Sequence, residues 1–232
     1  MFRELLLNKV NKENTMKKLT HKIKPIYTLG ILLIGLSFLL AFKSDKNGVA
    51  DKGYAIGDVV ADFKLKSTSG KYVSMADNRL AKGYIIVFMC NHCPFSKAYE
   101  SRIMALDRKF AYLGYPVLAI NPNDPNAYEE DSFENMQAIA KEKGYSFSYL
   151  QDESQATARA FGASRTPSVY VVKKEGDKFI LQYIGGIDDN TQDPNSVTKR
   201  YVEDAVSNLL AGKPVVGNFT KTVGCAIKWK DA

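Results

Sequence analysis

The sequence predicts an α/β domain with a central mixed β-sheet flanked by helices. Three observations carry this. Tyr84 to Met89 is a continuous apolar, β-branched and aromatic run, suited to a strand buried on both faces. Directly after it, Tyr99, Ile103, Leu106, Phe110 and Leu113 recur at steps of 4, 3, 4 and 3, one face of a helix. Further strand and helix patterns then alternate as far as Leu210.

The elements follow in order. Phe63 and Leu65 alternate with polar neighbours, Ser67-Thr68-Ser69-Gly70 breaks the pattern, and Tyr72 and Val73 resume it, which reads as an N-terminal β-hairpin. After the Tyr84–Met89 strand, Pro94 stands in a first-turn position of the long helix and Gly114 stops it. Pro116 to Ile120 is a second strand, ended by Asn121-Pro-Asn-Asp-Pro. A helix from Ser132 to Lys143 follows, with Asp131 and Glu134 spaced as a capping box and Gly144 closing it. The acidic stretch Tyr128 to Asp131 otherwise reads as a solvated loop and helix start. A shorter helix, Ser154 to Phe161, ends at Gly162. Strands Ser168 to Val172 and Phe179 to Ile184 flank the turn KKEGDK, and Tyr201, Val202, Ala205, Val206, Leu209 and Leu210 form the last helical face. Strand–helix–strand units demand parallel pairing, and the late hairpin adds antiparallel strands. Together these give a thioredoxin-like fold.

The formal charge of +7 is unevenly placed. Residues 1–50 carry nine Lys/Arg against three Asp/Glu, and the remainder 23 against 22, so the domain itself has no basic excess and nucleic acid is not an expected partner. Residues 1–24 form a basic cytoplasmic leader, in which Met16 offers an alternative start. Residues 25–42 contain the uncharged run Ile26 to Phe42, read as a signal anchor or transmembrane helix. After this run no small-x-small triplet occurs until Gly48-Val49-Ala50, which favours an uncleaved anchor; secretion to the periplasm after signal cleavage is the alternative. Residues 43–53 are a polar linker, and residues 54–232 are the folded domain. The domain is therefore expected on the extracytoplasmic side, with the membrane as a partner through the N-terminal helix.

In that compartment a close cysteine pair has meaning. Cys90 and Cys93 lie where a strand gives way to a helix, so this spacing can form a reversible disulfide. Facing the helix N-terminus, Cys90 is expected to have a lowered pKa and to attack, with Cys93 resolving the mixed disulfide. His92, between them, either stabilises the thiolate electrostatically or faces solvent without a role. Zinc is not expected: the ligand set is three cysteines and two histidines, one of them, His21, in the leader. The chemistry implies no cofactor. Cys225 reads either as a buried inert thiol or as an additional redox residue, a second resolving thiol that trades with Cys90.

The strings CNHCPFSKAYE, AINPNDPNAYEEDSFENM, YLQDESQATARAFGASRTPSVYVV, IGGIDDNTQDP and TVGCAIKWK, taken together, resemble the redoxin (AhpC/TSA) branch of the thioredoxin superfamily. More narrowly, they resemble peroxiredoxin-like proteins that keep a thioredoxin-style CxxC, over Tyr54 to Lys230. The resemblance implies redox-active Cys90 and Cys93, a cis bond at Thr166-Pro167 that presents the preceding backbone to substrate, and a recurring C-terminal cysteine at Cys225. It also implies cysteine-containing proteins and a redox partner protein as partners. Departures are specific. The PxxxTxxC pattern of typical peroxiredoxins is missing, with Val87 three positions before Cys90 and Cys90 itself three before Cys93. Met89 and Tyr84 replace the tryptophan and the buried acid of typical thioredoxins. The expected function is thus an extracytoplasmic thiol–disulfide oxidoreductase. The alternative is a thiol peroxidase in which peroxide oxidises Cys90. A copper chaperone ranks third, because no histidine follows His92.

Overall fold

Residues 53–230 are described in the structure, a computed structural model of the protein; the leader, the anchor and all but the last residue of the linker lie outside them. Among the described residues no helix is long and apolar enough to cross a membrane. The chain enters through β1 (Val59–Val60), then the hairpin of β2 (Leu65–Ser67) and β3 (Tyr72–Val73). β4 (Gly83–Phe88) leads into α1 (Pro94–Phe110), β5 (Val117–Asn121), α2 (Phe133–Lys143), β6 (Ser148–Gln151) and α3 (Ala156–Phe161). After the short β7 (Arg165–Thr166), β8 (Ser168–Glu175) and β9 (Lys178–Gly185) form the late hairpin, followed by α4 (Tyr201–Leu210) and β10 (Cys225–Ala226).

The main sheet has the order β1-β9-β8-β4-β5-β6-β2-β3. Parallel pairing joins β4 to β5 and β5 to β6, and the other pairs are antiparallel. The sheet is mixed as the pattern requires, and β4 is buried along its whole length. Successive β4 side chains feed two cores, because a strand alternates its side chains between faces. Ile85 and Val87 pack with Tyr99, Ile103 and Phe110 of α1 and Val202 and Val206 of α4. Tyr84, Ile86 and Phe88 pack on the other face with Ala158, Phe161, Tyr170 and Leu181.

Four strands depart from the expectation. β6 lies in a stretch too short to show a period, and β1, β7 and β10 are two-residue strands held by partners distant in sequence. The capping box at Asp131 and Glu134 is also corrected. Ser132 is the N-cap of α2, its Oγ accepting from Asn135 N, while Asp131 turns inward. Gly144 closes α2 in the left-handed conformation, φ 61°, as expected.

Candidate active site

Where α1 starts decides which cysteine meets its N-terminus. Pro94 takes the first helical position, where its missing N–H costs nothing, and a residue before proline is pushed to extended backbone. Cys93 is accordingly the N-cap, φ −71° and ψ 122°. The first-turn amides, which have no partners within the helix, and the positive end of a 17-residue helix therefore lie at Cys93, and Cys90 sits one loop earlier, just past the end of β4.

This reverses the expected environments. Cys90 is 1% exposed, its Sγ is 3.0 Å from Thr166 Oγ1 and 4.0 Å from Ser96 Oγ, and it is a free thiol. Burial, and then the charge of Asp131, push its pKa up to about 11, with hydrogen bonds from Thr166, the Cys93 backbone and Ser96 acting against them. The expected lowering of the Cys90 pKa is thus corrected: the low-dielectric pocket outweighs the stabilising contacts. The expected Cys90–Cys93 disulfide is corrected too. The disulfide joins Cys93 to Cys225, with alpha carbons 6.1 Å apart.

Thr166-Pro167 is a cis peptide, as anticipated, and Thr166 touches both cysteines of the loop. Its hydroxyl faces Cys90, and its carbonyl oxygen lies 3.3 Å from Cys93 Sγ. Across from it, β10 pairs antiparallel with β7, setting Cys225 opposite Thr166 and Ala226 opposite Arg165. A side chain at Gly224 would place its Cβ 2.2 Å from the Thr166 carbonyl oxygen, so only glycine fits this approach. The segment beyond Cys225 is fastened independently. Ile227 is buried and its N–H donates to Ser164 O at 3.0 Å. Lys228 N–H donates to Asn123 Oδ1 at 3.0 Å, and Lys228 O accepts from Gln155 Nε2 at 2.8 Å and Asp124 N at 2.9 Å. Gln155 holds a left-handed backbone, φ 60°, while its side chain makes these bonds.

His92 does not face solvent. Its Nδ1 donates to Asp131 Oδ2 at 2.6 Å, and its ring stacks on Tyr128 with centroids 3.9 Å apart. Asp131, expected in a solvated loop, is buried because it collects donors: Asn91 N at 2.6 Å, Asn123 Nδ2 at 2.8 Å and Asn121 Nδ2 at 3.2 Å besides the imidazole. Tyr149 OH donates to Asn91 Oδ1 at 2.8 Å, extending the network under the loop. Cys90 Sγ, a His92 ring nitrogen and an Asp131 carboxylate oxygen lie within 4.8 Å of one another, a donor set that a divalent cation could share. In this structure the imidazole Nδ1 and the carboxylate are bonded to each other instead.

Sequence reasoning missed Asp131, Asn91, Asn123, Ser96 and Gln155, and took Thr166 only as a backbone contact. The asparagines after β5 were the available signal: polar side chains at the end of a buried parallel strand lie where such sheets build sites.

The sheet order, and three cysteines gathered around a cis-proline, define a thiol protein of the thioredoxin-like class. The family model described as AhpC/TSA family matches residues 56–178, and the chain belongs to that family, within the thioredoxin-like redoxin branch. An uncharacterized conserved protein from Geobacillus kaustophilus is 35% identical over 77% of this chain and 94% of its own, with a TM-score of 0.70. A hypothetical protein from Sinorhizobium meliloti is 31% identical over 78% of this chain and 97% of its own, with a TM-score of 0.71. At 17% identity and a TM-score of 0.53, covering 68% of this chain and 99% of its own, a Chlorobium tepidum structure provisionally assigned as thiol:disulfide interchange protein DsbE shares the fold. Among curated proteins there is no significant match.

Proposed function

We propose that this protein is a membrane-tethered thiol–disulfide oxidoreductase that works outside the cytoplasm on cysteine-containing proteins. The observation that carries the reading is the Cys93–Cys225 disulfide at the start of α1. The helix N-terminus favours negative charge on the Cys93 sulfur, which is as buried as Cys90 while Cys225 is bonded to it, so Cys93 is the exchanging thiol, in place of Cys90, once Cys225 has left it. Cys225 is its intrachain partner, and Cys90 is a third thiol beside them, buried like Cys93 but outside the disulfide. The charge-free run Ile26 to Phe42 after a basic leader supports the extracytoplasmic placement.

A thiol peroxidase reading needs Cys90 to meet peroxide as a thiolate. Burial holds Cys90 as a thiol near neutral pH, and the PxxxTxxC pattern is missing. The test is to reduce the protein, mix it with a disulfide-bonded protein substrate, alkylate and map the cysteines. Re-formation of Cys93–Cys225, together with a trapped mixed disulfide on Cys93 in a Cys225→Ser variant, is the expected result. Peroxide oxidation of Cys90 far faster than of free cysteine, with no trapped protein, overturns the reading in favour of the peroxidase.

A further inference from the structure

The C-terminal segment has the form of a bound substrate. It is extended, it pairs in register with the strand before the cis-proline, and the cysteine opposite Thr166 is bonded to Cys93. Each of its positions meets a different demand. At Gly224 the Thr166 carbonyl leaves no room for a Cβ. At Cys225 the sulfur reaches Cys93. Ala226 is exposed, and any side chain is accommodated there. At Ile227 the residue is buried as part of the core cluster that also contains Phe161 and Ala163. Before Gly224, Val223 borders a cavity of about 200 Å³ that Pro167, Tyr99 and Asp188 also line.

On the expectation that the backbone before the cis-proline receives substrate, we infer that this chain's own Gly224–Ile227 is a resident stand-in for substrate on the edge of β7, and that a partner's cysteine-bearing segment reading glycine–cysteine–any–apolar is what displaces it. The inference rests on the thiol-exchange reading and names its substrate class. A dithiol of a redox partner protein first reduces Cys93–Cys225, itself becoming a disulfide; the Cys93 thiolate then attacks the substrate's disulfide at the cysteine lying opposite Thr166, and the substrate's other sulfur leaves as a thiolate. Cys225 then attacks the Cys93 sulfur, and the first substrate cysteine leaves as a thiolate. Two electrons pass to the substrate, which ends as a dithiol, and the protein ends with Cys93–Cys225. Because the returning tail takes the same edge as the substrate strand, closing the disulfide also ejects the product. Tethering gives the tail the advantage of a high local concentration.

The test uses the full chain carrying Cys225→Ser, reduced, and the peptide Gly-Cys-Ala-Ile-Lys-Trp, its cysteine carried as a mixed disulfide with thionitrobenzoate. Release of the coloured thiolate gives the rate, and peptide mapping places the adduct on Cys93. Replacing the peptide's glycine by valine, or its isoleucine by aspartate, is expected to slow transfer by about tenfold or more, the size of an overpacking or burial penalty. Adding Gly224→Val to the protein expels the resident strand and is expected to speed the parent peptide by about the same factor. Equal rates for the three peptides and for glutathione carried the same way overturn the docking inference while leaving thiol exchange intact. An unchanged rate in the Gly224→Val protein overturns the displacement. No transfer from any donor, glutathione included, overturns both the inference and the function it rests on.

Discussion

Asp131 accepts a 2.6 Å hydrogen bond from His92 Nδ1, and through it a buried carboxylate on the loop before α2 fixes the turn that separates Cys90 from Cys93. The same carboxylate accepts from Asn91 N, so two consecutive residues of the cysteine loop are held by one side chain.

Asp131→Asn therefore has two expected effects. The amide keeps one acceptor but turns NH₂ toward groups that are themselves donors, and such a mismatch in a buried network costs about 1–3 kcal/mol. Urea denaturation measures this, and an unchanged midpoint would refute the network's structural role. Removing the negative charge also removes one of the two causes that raise the Cys90 pKa, so the thiol should ionise below its present value of about 11. The pH dependence of the Cys90 ¹³Cβ shift reads this directly. No downward movement would show that burial alone sets it.

How much of this could be read in the sequence depended on range. β4, α1 and α4 announced themselves because their apolar periods are long and local; β4 and α4 lie within a residue of their expected bounds, and α1 ends at Phe110, a 3-10 turn over Ala111–Leu113 carrying the chain to Gly114. β7 and β10 could not be found that way, since two residues have no period and their pairing joins Thr166 to Cys225, which are distant in sequence. The three cysteines were visible as a group, but their pairing was set by where Pro94 started the helix and by a tail fastened to Asn123 and Gln155. The burial of Asp131 was hidden for a similar reason: its donors come from Asn91, His92, Asn121 and Asn123, and only the fold brings these together.

The Cys90 thiol should make stability depend on pH in the alkaline range. Its folded pKa is raised from 9.0 to about 11, so the folded state holds the proton more tightly than the unfolded chain. That contribution is complete below pH 9 and is lost as pH rises toward 11, by about 1.4 kcal/mol for each pH unit between them. In a Cys93→Ser, Cys225→Ser background, where Cys90 is the sole cysteine, thermal melts should fall with pH above 9 more steeply than in the same protein carrying Cys90→Ala. Parallel curves would contradict the raised pKa.

Loss of the Cys93–Cys225 bond should be costly because of the length of chain it closes. The two cysteines are 132 residues apart, and by loop-closure entropy a bond of that span is worth up to about 5 kcal/mol, with roughly 2–5 kcal/mol usual. Cys225→Ser is expected to lower the urea midpoint by a corresponding amount. The control is reduction: dithiothreitol should lower the wild-type midpoint to that of the variant and leave the variant where it was. A further fall of the variant on reduction would mean that some other pairing of the cysteines contributes.

Beneath the cavity next to Pro167, Arg102 Nη1 lies 2.8 and 2.9 Å from the two oxygens of Asp188, and Tyr99 OH donates to the same carboxylate at 2.9 Å. Both charged side chains are largely buried, 10% and 3% exposed, and the guanidinium lies over the Tyr99 ring at 3.8 Å. Arg102→Ala leaves the Asp188 carboxylate without its cation, and breaking a buried pair from one side costs about 3–5 kcal/mol. Arg102→Lys is not expected to restore it, because a single ammonium cannot reproduce both the contacts to the carboxylate and the planar stacking on Tyr99. The double variant Arg102→Met, Asp188→Leu removes both charges and should recover much of the loss, which separates the penalty of a stranded carboxylate from the worth of the pair. If the double variant is as unstable as Arg102→Ala, then packing around Tyr99, rather than charge, is what Arg102 supplies.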